Sequence, residues 1–587
     1  MKQNYPIFII LAVCAIVGAF TLNAYGESWD DHSLQKYANY SLRTYATWRT
    51  QGVMPITSED LGDYGPAYVM AVALLAPSYL PVNPADARHI IYFLTYLAGV
   101  WAFYELGKRW LTQTANVAAT LLFTTQPLFW GHAFMNPKDV PFMSFFMISL
   151  LFGFKMVDNL PADSASQVAS PPKWILFALL TTLGLFAATP LIHAALENLV
   201  RAASNGETNI ISRLASDIHK APPEVYIQRY FVFFLWLRSF LFLLSSFLFL
   251  YTRRHQLPIT NYQLLISSLL LGFTTSIRVV APLAGVIVAL YALRTKGKQV
   301  IPALITYAII SIIATYITWP YLWSDPVGHF IESLQTMSKY PWEGTVFFNG
   351  ATYNPNNLPY SYLPVLLAVQ LTEPVWILFV IGLASVKKVT VTSQVTVTSL
   401  AVVWFILPLI ALIVTRAALY DNFRQIFFIL PPVFLVAGLG AESILARVKQ
   451  IHFKVGIVAL LILPALIANI RLHPYQYVYY NSLAGNPTGK FELDYWAISY
   501  REAIEYVNTV ASANVNIMVV GPGQAADLYA RDDLTVLSDD APTDKPFDYV
   551  IVTTRYNFDR KMYPDAKIIY KVERDGMTLV VIKKIKK

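Results

Sequence analysis

Residues 5–32 read YPIFIILAVCAIVGAFTLNAYGESWDDH and join an apolar run to a group of acids. The apolar part, 5–23, is long enough to cross the roughly 30 Å hydrocarbon core of a bilayer as a helix. Glu27, Asp30 and Asp31 follow it directly. No clean small-residue cleavage site follows the run, so the sequence predicts a retained helix and not a removed signal peptide.

The whole chain has the composition of a membrane protein. Its 587 residues are 56% hydrophobic and only 14% charged, whereas soluble domains carry roughly 25% charged residues. So few charges could not cover the roughly four soluble domains that the length would suggest. We therefore exclude an ordinary cytosolic enzyme. The single cysteine, Cys14, excludes a disulfide framework and a cysteine-based zinc or iron–sulfur site.

Similar apolar runs recur along the chain and predict about thirteen transmembrane helices. They lie near 5–23, 88–107, 115–131, 140–157, 173–194, 229–251, 261–277, 279–294, 299–318, 360–385, 396–415, 424–441 and 454–470. A shorter stretch, 66–80, is predicted to be re-entrant or interfacial, because counting it as a span would move most of the later basic loops outside.

The basic residues predict the orientation of these helices. They fall in alternate connections, which we assign to the cytoplasmic side. Examples are Lys2, Lys108, Arg253, Arg254, Arg294, Lys387, Lys388 and Arg447. The net charge of +8 therefore indicates orientation and not a nucleic-acid partner. This assignment places the N-terminus in the cytoplasm and the C-terminus outside.

The predicted fold class is mainly α, with two domains. Residues 1–470 form a polytopic membrane domain whose long outer loops include 24–87 and 319–359, and residues 471–587 form a small outward-facing soluble α/β domain. A helix near 499–511 opens that tail. Strand-like runs follow at Asn516–Gly521, Leu534–Ser538, Tyr549–Thr553, Lys567–Val572 and Met577–Lys583. The Arg574-Asp575-Gly576 turn predicts that the last two runs form a hairpin.

Two charged pairs follow predicted helices on the outer side. In the first pair, Asp30 or Asp31 could serve as a general base, because one carboxylate raises the proton affinity of its neighbour. A helix N-cap is the commoner explanation for such a pair, because a carboxylate ahead of a helix accepts from free backbone N–H groups. The second pair, Lys138 and Asp139, lies between prolines in a rigid turn, although Asp139 could also cap the next helix.

Two arginines and the lysine of the second pair are candidate phosphate ligands. Arg278 lies between closely spaced helices, where an arginine needs an anionic partner or reaches the headgroups. Arg424 follows Asp421, and its planar guanidinium suits bidentate contact with a phosphate. Lys138 supplies a third cation on the same side.

Aromatic segments predict contacts with a sugar. Trp342, Glu343 and Tyr353 belong to the loop 319–359, which is rich in Trp, Tyr, Asn and Pro. Aromatic faces with a few polar groups suit sugar recognition, and they also suit an interfacial belt. His473 and Tyr475 open the segment that joins the last span to the tail, where it could cover a cavity.

With these motifs the chain resembles the GT-C integral-membrane glycosyltransferases. It is most similar to the bacterial group related to protein O-mannosyltransferases and the lipid A aminoarabinose transferase, which is glycosyltransferase family 39-like. The likeness rests on Trp29-Asp30-Asp31 after the first helix and on Asn136–Pro141 after the third. The acidic pair here is Asp-Asp, where Asp-Glu is commoner in the family.

The resemblance implies transfer, with inversion, of a sugar from a polyprenyl-phosphate donor to a hydroxyl of a lipid, glycan or protein acceptor at the outer face of the plasma membrane. It implies catalytic roles for Asp30, Asp31 and Asp139, with Asp30 the favoured base. Donor-phosphate binding would fall to Lys138, Arg278 and Arg424. Substrate contacts would come from Trp342, Glu343, Tyr353, His473 and Tyr475. We expect no cofactor and no nucleic-acid partner. We also expect no metal ion, although some relatives use a divalent ion.

Three alternatives remain open at this stage. A transporter or flippase for a lipid-linked sugar would also bind a lipid phosphate, but the sequence carries no internal repeat and no sign of paired half-helices. A surface polysaccharide ligase would use a different donor. A binding or scaffold protein would act through its outer tail.

Overall fold

The computed structural model describes residues 5–51, 61–77, 83–160, 173–214, 220–253, 262–385, 397–539 and 545–585. These residues are mainly helical, with a small sheet region near the C-terminus. The helices are α1 (Tyr5–Thr21), α2 (Asp31–Gln51), α3 (Ala67–Leu75), α4 (Pro84–Gly107), α5 (Gln113–Thr125), α6 (Pro127–Met135), α7 (Asp139–Asp158), α8 (Lys173–Ala187), α9 (Thr189–Ser204), α10 (Ile210–Leu214), α11 (Pro223–Arg253), α12 (Tyr262–Thr275), α13 (Pro282–Lys296), α14 (Ile301–Thr318), α15 (Pro326–Ser338), α16 (Tyr362–Gln370), α17 (Glu373–Ser385), α18 (Val397–Ala401), α19 (Leu407–Thr415), α20 (Pro431–Leu445), α21 (Ile451–Leu472), α22 (Tyr500–Val510), α23 (Gly523–Asp527) and α24 (Phe558–Lys561). The strands are β1 (Val346–Phe348), β2 (Ala351–Tyr353), β3 (Asn516–Val520), β4 (Thr535–Ser538), β5 (Tyr549–Thr553), β6 (Lys567–Arg574) and β7 (Met577–Lys584).

The helices indicate a membrane protein. Within the described part of the chain, six are long and apolar enough to cross a membrane, or eight if each of two bent pairs is one span. The six are Tyr5–Ala24, Pro84–Gly107, Asp139–Asp158, Pro223–Leu248, Pro282–Thr318 and Ile451–Leu472. The predicted count of thirteen is not confirmed.

Some predicted spans are interrupted in the structure. The run predicted at 115–131 divides between α5 and α6, where Pro127 begins the second helix and cannot donate a backbone hydrogen bond to the first. The run predicted at 360–385 divides into α16 and α17, which are bent by 109°. Hydropathy alone detects the apolar length of such a segment but not a change of direction within it.

Several sequence-based predictions fall on residues outside the described ranges. They include parts of the loop 24–87, namely 52–60 and 78–82, and four of the basic residues that set the orientation: Lys2, Arg254, Lys387 and Lys388. Of the predicted re-entrant stretch 66–80, the structure describes α3. This helix has nine residues and is therefore about 14 Å long, roughly half of a hydrocarbon core.

The chain divides into two compact units. The first unit comprises Met1–Gln35, Val72–Leu151 and Lys339–Lys587, and the second comprises Lys36–Ala71 and Phe152–Ser338. The domain boundary predicted between residues 470 and 471 stays a prediction.

Closely packed helices form the membrane part of the first unit. At the contact between α17 and α20, a Cβ on Gly440 would lie 2.0 Å from the carbonyl oxygen of Leu378, and a Cβ on Gly382 would lie 2.0 Å from that of Val436. Glycine is therefore required on both helices, because any side chain would force the backbones apart. Small residues allow the same close approach between helices in other membrane proteins.

A five-stranded sheet lies near the C-terminus of the first unit, with the strand order β4-β3-β5-β7-β6. β3 pairs in parallel with β4 and β5, whereas β7 pairs antiparallel with β5 and β6. The five predicted strands are confirmed to within two residues at each end. One face buries Met518, Val520, Val550, Val552 and Val581.

The amphipathic helix α22 opens the C-terminal region. Its buried residues, Tyr500, Ala503, Ile504 and Val507, recur at the spacing of one helical face. The prediction of a helix near 499–511 is confirmed.

Hydrogen bonds between α12 and α14 tie the second unit together. Ser311 Oγ donates to the carbonyl oxygen of Ser268 at 3.0 Å, and Thr315 Oγ1 donates to that of Gly272 at 3.2 Å. Trp319 Nε1, just after α14, donates to the carbonyl oxygen of Gly62 at 2.9 Å. The hydroxyls of Ser311 and Thr315 also lie within hydrogen-bond distance of carbonyl oxygens of their own helix, 2.7 Å from that of Tyr307 and 2.9 Å from that of Ser311.

Candidate functional site

Arg424 lies at the centre of a buried ion-pair network in the first unit. It begins the 3-10 turn Arg424–Ile429 before α20, and its side chain is only 2% exposed. Nη1 is 2.9 Å from Asp139 Oδ2, and Nη2 is 2.8 Å from Asp421 Oδ2. The guanidinium carbon lies 4.6 Å from the centre of the Trp496 ring. Two carboxylates and an aromatic face thus compensate a charge that would be costly to bury alone.

Asp30 is the accessible carboxylate of this network. Its side chain is 28% exposed, against 1% for Asp139 and 4% for Asp421. Asp30 Oδ2 lies 2.8 Å from Lys138 Nζ and 3.6 Å from Arg424 Nη2. The residue immediately precedes α2, so this side chain is fixed at the start of a helix.

Arg555, from the C-terminal region, completes the network. Its Nη2 lies 2.5 Å from Asp421 Oδ1, and its Nη1 donates to the carbonyl oxygen of Tyr495 at 2.6 Å. We call the set the Arg424 cluster: Asp30, Lys138, Asp139, Asp421, Arg424 and Arg555. It contains three carboxylates and three cations, so its formal charge is zero when all six groups are ionised.

Asn136 explains the placement of the second charged pair. Its Oδ1 accepts hydrogen bonds from the backbone N–H groups of Lys138 at 2.9 Å and Asp139 at 2.7 Å. Its Nδ2 lies 3.0 Å from Asp139 Oδ2. This side chain therefore caps the start of α7 and aims Asp139 at Arg424.

His132 contacts Asn136 and is a neutral imidazole. His132 Nδ1 lies 3.0 Å from Asn136 Nδ2, and Nε2 lies 2.9 Å from the hydroxyl of Tyr495. Burial, together with the charge of Arg424 and despite that of Asp139, lowers the pKa of His132 to about 3. Because Asn136 can only donate through Nδ2, we assign the proton of His132 to Nε2.

The surroundings of Asp30 keep it ionised. Burial raises the pKa of this carboxyl, but the charges of Lys138 and Arg424 outweigh that effect and hold the pKa below its usual range. Asp30 is therefore a carboxylate at neutral pH, partly exposed and close to two cations.

Asp31 belongs to a different and closed group, which we call the Arg88 cluster: Glu27, Asp31, Arg88 and Tyr92. Arg88 Nη2 lies 2.6 Å from Glu27 Oε1, and Arg88 Nε lies 2.7 Å from Asp31 Oδ2. Tyr92 donates its hydroxyl hydrogen to Asp31 Oδ1 at 2.6 Å. Asp31 is 1% exposed. Burial and the charge of Asp31 raise the pKa of Glu27 to about 8, although Arg88 opposes the rise.

The structure places the other predicted residues in different surroundings. Trp342 stacks on Tyr420 with the ring centres 4.5 Å apart, and it lies 5.3 Å from the guanidinium of Arg555. Glu343 is exposed, and Tyr353 lies on β2. Arg278 belongs to the second unit, whereas the Arg424 cluster is built from the first unit alone.

His473 and Tyr475 contact the C-terminal region. Tyr475 donates its hydroxyl hydrogen to Glu502 Oε2 at 2.8 Å, and Arg574 Nε donates to the carbonyl oxygen of His473 at 2.9 Å. The guanidinium of Arg574 lies 5.0 Å from the Tyr475 ring centre. These contacts attach the sheet region to the end of α21, and the predicted substrate contacts of both residues stay predictions.

Two members of the Arg424 cluster were not among the predicted site residues. Asp421 precedes Arg424 by three residues, and its positive φ of 54° marks a left-handed turn there. Arg555 is 134 residues farther along the chain, and no motif around it indicates the contact. Trp29 also meets the C-terminal region, because a Cβ on Gly521 would lie 2.9 Å from its ring.

Among the described residues, no group of three or more His, Cys, Asp or Glu side chains is arranged to hold a metal ion. Comparison of the sequence with protein-family models and with curated proteins finds no match. The chemistry available in the Arg424 cluster is that of an ionised, partly exposed carboxylate next to two fixed cations.

Proposed function

We propose that this protein is a membrane glycosyltransferase, which moves a sugar from a polyprenyl-phosphate donor to an acceptor hydroxyl at the outer face of the plasma membrane. The observation that carries the proposal is the placement of Asp30, 28% exposed and 2.8 Å from Lys138. Transfer from a phosphate leaving group requires a base for the acceptor and positive charge for the departing phosphate. Asp30, Lys138 and Arg424 supply both.

The formal charge of the Arg424 cluster supports a role for the donor in activating the base. The cluster is neutral before the donor binds, so a phosphate adds negative charge and competes with Asp30 for Lys138 and Arg424. When these cations also bind the phosphate, its negative charge offsets the positive charges that lower the pKa of Asp30. Its proton affinity therefore rises when the substrate is in place.

The proposed transfer occurs in one displacement. The acceptor oxygen forms a bond to the anomeric carbon, and Asp30 takes the proton of that hydroxyl. The bond from the anomeric carbon to the phosphate oxygen breaks, and its electron pair stays on the phosphate, which Lys138 and Arg424 stabilise. A phosphate is a stable anion, so no general acid is needed, unlike the hydrolysis of glycosides by two carboxylic groups. Attack opposite the phosphate inverts the anomeric centre.

Asp139 and Asp421 act as positioning residues in this proposal. They hold two different edges of the Arg424 guanidinium at 2.9 Å and 2.8 Å. A guanidinium fixed in this way is pre-organised for a developing phosphate charge and needs little rearrangement during the reaction. Trp342, whose ring stacks on Tyr420 and lies near Arg555, is the proposed contact for a sugar ring.

Transfer of labelled sugar in proteoliposomes tests the proposal. The Asp30→Asn variant should lose transfer and keep donor binding, whereas Asp31→Asn should keep transfer. Glu505→Gln is a matched control, because Glu505 is an exposed acid of the first unit that pairs with Arg501 at 3.0 Å. Normal transfer by the Asp30→Asn variant would refute the base assignment.

A lipid-linked sugar transporter is the second candidate, and one observation favours it. The structure contains two bent helix pairs, Phe177–Ala187 with Thr189–Ser204 at 64° and Tyr362–Gln370 with Glu373–Ser385 at 109°. Broken helices are common at transporter binding sites, and the sequence had given no sign of them. Movement of intact donor across a bilayer, without cleavage of the sugar–phosphate bond, would favour this candidate.

A further inference from the structure

A polar cavity lies in the first unit beside Arg555. Its volume is 710 Å³, and it is bordered by the β1–β2 hairpin, by residues 488–495 and by the C-terminal region from residue 554. Hydroxyl groups and aromatic rings both line it: Thr345, Thr352, Thr554, Phe347, Tyr495 and Tyr556. Such a mixture of ring faces and hydrogen-bonding groups is typical of sites for polar ligands.

Two buried charged side chains of this cavity have atoms without a hydrogen-bond partner. Among the described residues, neither Arg555 Nε nor Glu492 Oε2 has one. The Arg555 side chain is only 7% exposed, and Glu492 is 6% exposed. Buried polar atoms in native proteins are nearly always paired, so unpaired atoms on two residues that line one cavity point to a missing ligand. Here the pair offers one donor and one acceptor.

The charge of the cavity lining favours an anionic ligand. Arg560, Lys561 and Lys571 add to Arg555, whereas Glu492 and Asp559 are the acids of the lining. Burial and the charge of Asp421 raise the pKa of Glu492 to about 7, although Arg555 opposes the rise. Glu492 therefore repels an anion less than an ordinary glutamate would.

We infer that this cavity binds an acidic saccharide. Arg555 Nε donates to a carboxylate or phosphate oxygen of the ligand, Glu492 Oε2 accepts from a sugar hydroxyl, and the rings of Phe347 and Tyr556 pack against sugar faces. Arg555 also contacts Asp421, which holds Arg424, so one side chain belongs to both this cavity and the Arg424 cluster. Identification of the saccharide as the acceptor rests on the proposed glycosyl transfer.

A glycan array tests the inference with the full-length protein in detergent and with no donor present. The array carries acidic glycans and neutral glycans of matched length. We expect wild type to bind acidic glycans at least tenfold more tightly than neutral ones. We expect Thr352→Trp, which fills the cavity, and Arg555→Lys, which keeps the charge but removes Nε, to weaken that binding at least tenfold.

Two exposed lysines of the C-terminal region provide a matched control. Lys561 lines the cavity and Lys545 does not, so Lys561→Gln should weaken binding about threefold and Lys545→Gln should leave it unchanged. Absence of glycan binding, equal binding of neutral glycans, or full binding by Thr352→Trp would overturn the inference. Failure of the proposed transfer would appear separately, as donor that is not consumed.

Discussion

The Arg88 cluster and the Arg424 cluster contain adjacent residues, Asp31 and Asp30, but the surroundings of these two residues differ. Asp31 is 1% exposed, and each of its oxygens contacts a group of α4. Asp30 has a side chain that is 28% exposed and is paired with Lys138. A motif of two neighbouring acids therefore divides into one buried carboxylate that is bonded to α4 and one carboxylate whose side chain is partly exposed.

The charge balance of the two clusters differs as well. The Arg88 cluster has two carboxylates for one arginine, so a raised pKa at Glu27 lets it retain a proton. The Arg424 cluster has three carboxylates for three cations and keeps Asp30 ionised. Neighbouring residues can thus differ in proton affinity because the groups that the fold brings to them differ. Under the proposed function, only the second cluster is prepared to accept a proton during turnover.

The largest expected effect is the loss of catalytic rate in the Asp30→Asn variant. Loss of a general base lowers the rate by about 10²- to 10⁴-fold. Donor affinity should stay within about threefold of wild type, because Lys138 and Arg424 remain, and a competing carboxylate charge is removed. Single-turnover transfer and donor binding, measured on the same preparation, check this prediction. A rate within threefold of wild type would assign proton transfer to another group.

Asp31→Asn should instead reduce stability. The variant leaves Arg88 buried with one carboxylate partner less, and breaking a buried pair costs about 3 kcal/mol. Thermal unfolding in detergent measures the loss, with Glu505→Gln as the control that should unfold close to the wild-type temperature. The rate per folded molecule should remain normal. If Asp31→Asn were fully stable and inactive, the roles of the two aspartates would be reversed.

Lys138→Met is expected to have a smaller effect, confined to the donor. Lys138 is a single cation at the edge of the Arg424 cluster, with a side chain that is 12% exposed. Its loss should weaken donor binding about tenfold, or by about 1.4 kcal/mol. Titration of a polyprenyl-phosphate sugar against the purified variant checks this. Unchanged donor affinity would exclude Lys138 from the phosphate site, and Lys545→Gln serves as the control for loss of a positive charge.

The last expected effect is a pH dependence of stability, opposite in sign for the two clusters. The pKa of Glu27, facing Asp31 and Arg88, is raised to about 8 in the folded state, so the folded protein keeps a proton that the unfolded chain has lost. Stability should therefore fall as the pH rises from about 5 to 8, by at most about 1.4 kcal/mol per pH unit.

The pKa of Asp30 is lowered, so its contribution to stability is present above its usual pKa and is lost only as the pH falls below about 4. Unfolding temperatures of wild type, Glu27→Gln and Asp30→Asn across this range separate the two effects. Glu27→Gln should reduce the slope of unfolding temperature against pH above pH 5 and leave the slope at lower pH unchanged. The same slope in wild type and Glu27→Gln would show that Glu27 holds no proton.

The comparison also shows what the sequence could and could not predict. Apolar length identified a membrane protein, and alternation of apolar residues with a turn located the strands of the C-terminal sheet. The sequence also grouped Asp30, Lys138, Asp139 and Arg424 as candidates, and the structure brings these four together. It could not separate Asp30 from Asp31, because the partner that encloses Asp31 is Arg88, 57 residues away.

Sequence patterns do not predict the long-range contacts or the bends between helices. Arg555 joins the Arg424 cluster from the C-terminal region, and its local sequence carries no motif for doing so. The bend between α16 and α17 lies within a continuous apolar run, where hydropathy does not change. Both features depend on which surfaces pack together, and neither produces a periodic pattern of residues in the sequence.

One measurement tests the proposed transfer most directly. Wild-type protein is reconstituted in vesicles with a polyprenyl-phosphate donor labelled in the sugar, and cleavage of the sugar–phosphate bond and movement of intact donor across the bilayer are followed together. We expect the label to pass to an acceptor while free polyprenyl phosphate accumulates, and we expect Asp30→Asn, but not Asp31→Asn, to abolish both changes. Intact labelled donor crossing the bilayer with no cleavage would contradict glycosyl transfer and identify a transporter.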